Sequence, residues 1–307
     1  MRHILKESNC FISNQVGTGT MPATNRISEL VFDTELLSIG QFRCPADHRA
    51  WIEENCIGNS PLIVFPRVPV RIKQSSRHEV VADPNCVMYY NSQQMYRRQL
   101  LHTRGDHCEY FRIDPTLLTD IVSEYSPASG DAPDHPFHFC NGPSDAPSYL
   151  AQRQIFDYIA RTEVPDELYV QETMIRVLRR VVAMAYQTRG IKCRMTRRSD
   201  TDRAHRESVE AAKAYIVARV DKRIRLNDVA RAAHLSSFHL CRVFRRLTGL
   251  SLHQYVSQLR LRTSLELMAN GKCDLSSLAL RLGFSSHSHF TSTFTRTFNV
   301  PPSRLRN

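Results

Sequence analysis

Apolar residues recur along this chain in two patterns, and the change from one to the other divides it into halves. In residues 1–140, short runs rich in Val, Ile, Tyr and Phe, such as PLIVFPRVPVRI and CVMYYN, alternate with turn segments such as GNSP and TRGD. Evenly spaced short strands are typical of a small sandwich or barrel. We therefore predict a sheet-rich N-terminal domain, with one short helix that Asp114 caps and Pro115 begins.

Two helices are predicted to follow the strands, at about 147–161 and 165–186. The second carries an apolar stripe, which either packs on the core or forms a dimer seam: Met174, Val177, Leu178, Val181, Val182 and Met184. Next comes a basic stretch without apolar periodicity, which we interpret as a linker. The expected division is therefore a first domain at 1–187, a linker at 188–206 and a second domain at 207–307.

The second half shows only helix and turn patterns, and it contains an internal repeat. Leu240 matches Phe290 and Phe244 matches Phe294, each at an offset of 50 residues, and both copies have a short helix, a tight turn and a longer helix. In the first copy, Asn227 is expected to cap the short helix. A long helix at about 251–270 joins the copies. The repeat and this helix together predict two helix-turn-helix units with a rigid connector.

Helical geometry separates two faces on the longer helix of each copy. Phe290, Phe294 and Phe298 recur every four residues and are expected to face inward in the second copy. The opposite face of each helix is polar, and a helix with outward polar side chains fits the major groove of DNA. The candidate DNA-binding residues are Ser237, Phe238, His239, Cys241, Arg242 and Arg245 in the first copy, and Ser286, His287, Ser288, Thr291, Ser292 and Thr295 in the second.

Charge is distributed unevenly between the halves and strengthens this interpretation. Residues 192–307 hold 22 Lys and Arg against 8 Asp and Glu, whereas residues 1–191 hold 19 against 22. A basic half joined to a mildly acidic one indicates that the basic half meets a polyanion. A merely soluble basic domain is the alternative.

Other kinds of site have weaker support in the sequence. The nine cysteines show no CxxC spacing, which favours free thiols in a reducing compartment and hence a cytoplasmic protein. Cys44, His48 and Cys56 fit no zinc pattern, and His287 and His289 point apart on a helix. We therefore expect no metal, no cofactor and no catalytic residues. No apolar run is long enough to predict a membrane span.

The residues LNDVARAAHLSSFHLCRVFRRLTGLSLHQYVSQLRLRTSLELM and LALRLGFSSHSHFTSTFTRTFNVPPSRLR resemble the DNA-binding domain of the AraC/XylS family of bacterial transcription regulators. The resemblance covers about 207–306. It implies sequence-specific promoter binding to double-stranded DNA, activation through RNA polymerase, and an N-terminal domain that binds a small-molecule effector and dimerises, here through 147–186. The expected fold is α+β with two domains: a small cupin-like β-barrel with a C-terminal helical hairpin, then an all-α domain with two helix-turn-helix units.

Two departures from the family pattern affect the expected DNA contacts. His234 stands in the first turn where the second has Gly283, and His tolerates the left-handed conformation better than most residues. Ser292 stands where many members carry Arg, so the second helix lacks a bidentate guanine reader there. We therefore expect Arg242 to supply most base discrimination.

Several alternatives stay open at this level. Arg67, Arg97 or Arg98 could bind an effector carboxylate inside the barrel, although surface ion pairs are commoner. The regulator could be controlled by a protein partner instead of a small ligand. A DNA-repair enzyme with a similar helical domain is disfavoured, because neither a PCHR-like reactive cysteine nor a four-cysteine zinc site occurs.

Overall fold

A computed structural model describes residues 28–48, 51–75, 77–101, 103–125, 134–190, 200–269 and 274–305. Within these ranges the chain has a sheet-rich N-terminal half and a helical C-terminal half, as the residue patterns predict. No helix in the described part combines the length and the apolar character needed to cross a membrane.

In the described residues, the strands of the N-terminal half form two antiparallel sheets. One sheet has the strand order β1-β2-β9-β4-β7-β10 and the other β3-β8-β5-β6. Two sheets fit either a sandwich or a barrel, and closure into a cupin-like barrel stays a prediction. The strands are β1 (Ser28–Asp33), β2 (Leu37–Cys44), β3 (Asn55–Cys56), β4 (Leu62–Pro66), β5 (Val70–Gln74), β6 (Val80–Ala82), β7 (Cys86–Tyr90), β8 (Met95–Leu100), β9 (Asp106–Ile113) and β10 (Asn141–Pro143).

Strand β4 shows why the six-stranded sheet is apolar on both faces. Its side chains alternate between two cores, since successive residues of a strand point to opposite sides. Leu62 and Val64 face the core shared with the second sheet, whereas Ile63 and Phe65 face the helices. A strand covered on both sides becomes a continuous apolar run, which is the LIVFP pattern.

The described part of the N-terminal half contains three helices: α1 (Pro115–Ser123), α2 (Ala146–Arg161) and α3 (Glu167–Gly190). Asp114 caps α1 by accepting from the backbone N–H groups of Thr116 and Leu117, as predicted. The apolar stripe of α3 packs on the sheet, and Met174, Leu178 and Val181 are fully buried. The stripe is therefore core, and a dimer through 147–186 would need other side chains.

The predicted linker contains more helix than its composition indicates. Helix α3 continues to Gly190 and α4 begins at Asp200, so both enter the range 188–206. Residues 191–199 lie outside the described part of the chain. The polar composition misled the prediction because a solvated helix needs only a narrow apolar contact. The domain boundaries themselves stay a prediction.

The C-terminal half has two helix-turn-helix units joined by one long helix. The elements are α4 (Asp200–Val217), α5 (Leu226–Ala232), α6 (Ser237–Thr248), α7 (Leu252–Ala269), α8 (Leu275–Arg281), α9 (His287–Phe298) and a final 3-10 turn, Pro302–Arg304. We call α7 the linker helix. Asn227 does not cap α5, because the N-cap is Arg225 and Asn227 lies inside the helix.

The two halves share their apolar cores. Val81 of β6 is fully buried among residues of α4, α5 and α6, in the core of the first unit. Tyr149 and Leu150 of α2 pack in the core of the second unit with Phe290 and Phe294. Because an apolar contact of this kind removes surface from water, each helix-turn-helix unit is stabilised by the N-terminal half.

Candidate nucleic-acid interface

Helix α6 is delimited by side-chain and backbone caps that its sequence supplies. The Ser236 hydroxyl accepts from the backbone N–H of His239 at 3.3 Å, and Gly249 ends the helix at φ +79°. Leu240 and Phe244 are fully buried, as predicted for the inner face. The inner face thus fixes the rotation of the helix and leaves the other face to solvent.

The outer face of α6 carries most of the side chains predicted to meet DNA. Phe238 is 81% exposed, and Cys241, Arg242 and Arg245 are exposed beside it. The Ser237 hydroxyl donates to Asn227 Oδ1 at 2.8 Å, so it also joins the two helices of the unit. Apart from that bond, the face presents an aromatic ring, a thiol and two guanidinium groups to solvent.

Helix α9 repeats this construction with an outer face that carries fewer charged side chains. The Ser286 hydroxyl accepts from the backbone N–H of His289 at 3.0 Å, so it serves as the N-cap. The predicted outward residues line a shallow concave surface: His287, Ser288, Thr291, Ser292 and Thr295, together with Arg296 and Asn299. Apart from the Arg296 guanidinium, this surface presents hydroxyls, an imidazole and an amide, which favour hydrogen bonds over charge.

The turns of the two units have the same backbone geometry. His234 has φ +54° and Gly283 has φ +73°, so both occupy the left-handed region. Arg260 of the linker helix braces the second turn by donating to Gly283 O at 2.9 Å and to Lys222 O at 2.7 Å. His234 thus adopts the left-handed conformation that the turn requires, as expected.

Two features of this surface escaped the sequence interpretation. His239 is only partly exposed, because its Nε2 lies 3.1 Å from Nε2 of His205 on α4. Arg246 completes this contact at 2.9 Å from His205 Nδ1. Arg296, on the concave surface of α9, was also missed, although its match to Arg246 in the repeat could have indicated it.

The candidate metal and thiol residues of the sequence differ in their burial. In the described ranges, no group of three or more His, Cys, Asp or Glu side chains is placed to hold a metal ion. Cys44 and Cys56 are buried, and burial raises the pKa of the Cys44 thiol to about 11. The predicted surface thiol Cys241 is exposed on α6.

The three arginines proposed for effector contact lie in three different environments. Arg97 is exposed and 3.6 Å from Glu54. Arg98 is buried, donates to Asp106 at 3.1 Å and lies over the Phe42 ring. Burial raises the pKa of Asp106 to about 6, against the opposing effect of Arg98. Arg67 is buried where the two halves meet.

Comparisons with known proteins give the class of this chain. A helix-turn-helix domain family matches residues 229–307. Regulatory protein PocR of Salmonella typhimurium is 30% identical over 102 residues, which cover 33% of this chain and 34% of PocR. The probable transcription factor PqrA of Proteus vulgaris is 31% identical over 83 residues, covering 27% of this chain and 68% of PqrA.

A solved AraC-type regulator from Chromobacterium violaceum is 27% identical, with a TM-score of 0.32, and covers 33% of this chain and 90% of that one. The chain spans about a third of the length of the first curated relatives that it matches. Together with the two capped helix pairs, the sequence matches define a helix-turn-helix domain of the type found in transcription regulators. The chain belongs to the AraC/XylS family of transcription regulators.

Proposed function

We propose that this chain binds specific promoter sequences through α6 and α9 and activates transcription in response to a small-molecule effector. One observation carries the proposal: both helices bury an apolar face and turn a polar face outward, on a half that holds 22 basic and 8 acidic residues. Polar side chains on an exposed helix can reach base edges in the major groove, and the basic excess provides phosphate contacts.

The linker helix sets the separation between the two reading helices. It has 18 residues, which correspond to about 27 Å at 1.5 Å per residue. One turn of DNA measures about 34 Å, so a rigid connector of this length supports contact with two successive major grooves on one side of the duplex.

The two helices are proposed to contribute unequally. Arg242 on α6 is an exposed guanidinium that can bind guanine with two hydrogen bonds, whereas Ser292 holds the matching position on α9. Helix α6 would therefore discriminate bases, and α9 would mainly position the protein through its hydroxyl groups.

The remaining elements of the proposal concern partners. The N-terminal half is the proposed site of effector binding, and RNA polymerase and a second copy of the chain are the proposed protein partners, in the cytoplasm. An alternative is control by another protein. Native mass spectrometry of the full chain from cells separates the two, because a retained small molecule supports the effector and a copurifying regulator supports the alternative.

Selection from random duplexes with the full chain tests the central claim. The expected result is an enriched motif with two half-sites about one helical turn apart, and a footprint over two successive major grooves on one face. Absence of any enriched motif, or a footprint over one groove only, would overturn the proposed mode of binding.

A further inference from the structure

Where the two halves meet, one carboxylate of the linker helix is surrounded by donors from the N-terminal half. Glu266 Oε1 accepts from the Tyr149 hydroxyl at 3.2 Å and from Arg67 Nη1, and it lies 3.4 Å from Arg153 Nε. All three donor residues are buried, with exposed fractions of 3% for Arg67, 0% for Tyr149 and 8% for Arg153. A single oxygen thus meets two guanidinium groups and a phenol.

The N-terminal half holds these donors in place without help from Glu266. Glu109 of β9 accepts from Arg67 and lies 3.3 Å from Arg153 Nη1. The backbone N–H of Arg67 donates to His107 O at 2.8 Å. Tyr149 and Arg153 are four residues apart on α2, so their side chains share one face. Contacts within the N-terminal half therefore position the donors independently of the linker helix.

Charge explains why the donors need an anion. Two guanidinium groups face the single buried carboxylate of Glu109. Asp157 lies 3.9 Å from Arg153 Nη2 but is half exposed, so it compensates the second buried charge only weakly unless Glu266 is present. An uncompensated charge in a buried position is strongly destabilising. Further hydrogen bonds could form at this site, because buried Arg67 Nε, Gln152 Oε1 and His107 Nε2 have no hydrogen-bond partner. A planar guanidinium pair matches the geometry of a carboxylate.

We propose that Arg67, Tyr149 and Arg153 form a carboxylate-binding site, that Glu266 fills it as an internal ligand, and that a carboxylate-bearing effector competes with Glu266 for it. The two ligands are mutually exclusive because both need the same three donors. Occupation by the effector removes one tether of the linker helix and so changes how the N-terminal half holds the two reading helices. The competition rests on the proposed effector response, whereas the site itself does not.

The test replaces the internal ligand with a free one. Glu266→Ala removes a CH₂COO⁻ group, so acetate is the matching probe. Melting temperatures are measured for the full chain in sodium acetate and in sodium chloride at equal concentration. Glu266→Gln keeps the volume of the side chain and leaves no room for acetate. Glu207→Ala, which removes an exposed carboxylate paired with Arg203 at 3.0 Å, is the control for general loss of charge.

In chloride, Glu266→Ala is expected to melt below the wild type, and acetate should raise its melting temperature by about 3 °C or more in a saturable way. Wild type, Glu266→Gln and Glu207→Ala should show no acetate-specific rise. A variant recovered from cells only in acetate buffer also supports the site, whereas recovery from neither buffer counts against it.

An equal acetate response in all four proteins, or in none, overturns the proposal. Melting is measured without DNA, so this failure is distinct from failure of the proposed function, which would appear as the absence of an enriched DNA motif.

Discussion

Tyr255 of the linker helix donates its hydroxyl hydrogen to the Asp83 carboxylate of the N-terminal half, and both residues are buried. Asn85, two residues after Asp83, donates from its side-chain Nδ2 to Tyr255 O at 3.1 Å. Arg262, two turns along the helix, donates to Pro84 O and Ser144 O. The linker helix is thus both the connector of the two helix-turn-helix units and a polar contact with the N-terminal half.

Replacing Tyr255 with Phe should weaken this contact. The Asp83 carboxylate is fully buried and accepts from the Tyr255 hydroxyl and from the backbone N–H of Asn85, so the variant removes one of these two donors. Loss of one donor to a buried charged group costs about 1–3 kcal/mol, and urea denaturation of the full chain should show it. Tyr215→Phe, at a half-buried ring on α4, is the control. Equal stability of the two variants would contradict the role of this bond.

Replacing Arg262 should lower the free energy of unfolding more than replacing an exposed arginine does. Arg262 is 1% exposed, and its guanidinium also donates to Asn85 Oδ1 at 2.8 Å. Arg262→Ala leaves three acceptors short of a charged donor, so we expect a loss of about 3 kcal/mol or more in the free energy of unfolding. Arg231→Ala, whose side chain is 81% exposed, should change that free energy by about 0.5 kcal/mol or less.

Arg242→Ala tests the proposal that α6 discriminates bases whereas α9 mainly positions the protein. If Arg242 binds guanine in the major groove, its loss should weaken specific binding by about 1–3 kcal/mol and relax the preference at one base pair. Selection with random duplexes measures both effects. Arg43→Ala, an exposed arginine of β2, should alter neither. An unchanged motif for Arg242→Ala would refute this assignment.

Phe238 provides an apolar counterpart on the same face. Its ring is 81% exposed, so Phe238→Ala should leave the unfolding temperature nearly unchanged. A contact with a thymine methyl group would nevertheless make the variant lose preference for thymine at one position in binding-site selection. Leu168→Ala, at an exposed apolar residue of α3, should have no effect on DNA. A stable variant with wild-type sequence preference would exclude Phe238 from base contact.

His107 should make the protein sensitive to mild acid. Burial, and then Arg67 and Arg43, lower the pKa of His107 to about 3, from 6.5. Because the unfolded chain takes up this proton first, stability is present above pH 6.5 and falls as the pH decreases toward 3, by up to about 1.4 kcal/mol per pH unit. His107→Gln should reduce this slope in urea denaturation between pH 6.5 and 4. The exposed control His253→Gln should retain the wild-type slope.

The helical half was largely predictable because its signals are local. The stops at Gly249 and Gly283, the caps at Ser236 and Asp274, and the four-residue spacing of Phe290, Phe294 and Phe298 all act within one or two turns. The cap of α5 was misassigned, because Asn227 bonds to Ser237 across the turn instead. A side-chain partner ten residues away leaves no mark in helical periodicity.

The sequence by itself determined which faces of α6 and α9 are buried, since apolar spacing fixes the rotation of an amphipathic helix. It also determined the family and the concentration of positive charge in the helical half. Only the tertiary structure decided that the α3 stripe is core, that His239 contacts His205, and that Glu266 lies among Arg67, Tyr149 and Arg153. The reason is physical: periodicity reports that a side chain is buried or polar, whereas its partner is chosen by how the elements pack. That partner is 34 residues away for His239 and more than a hundred residues away for Glu266.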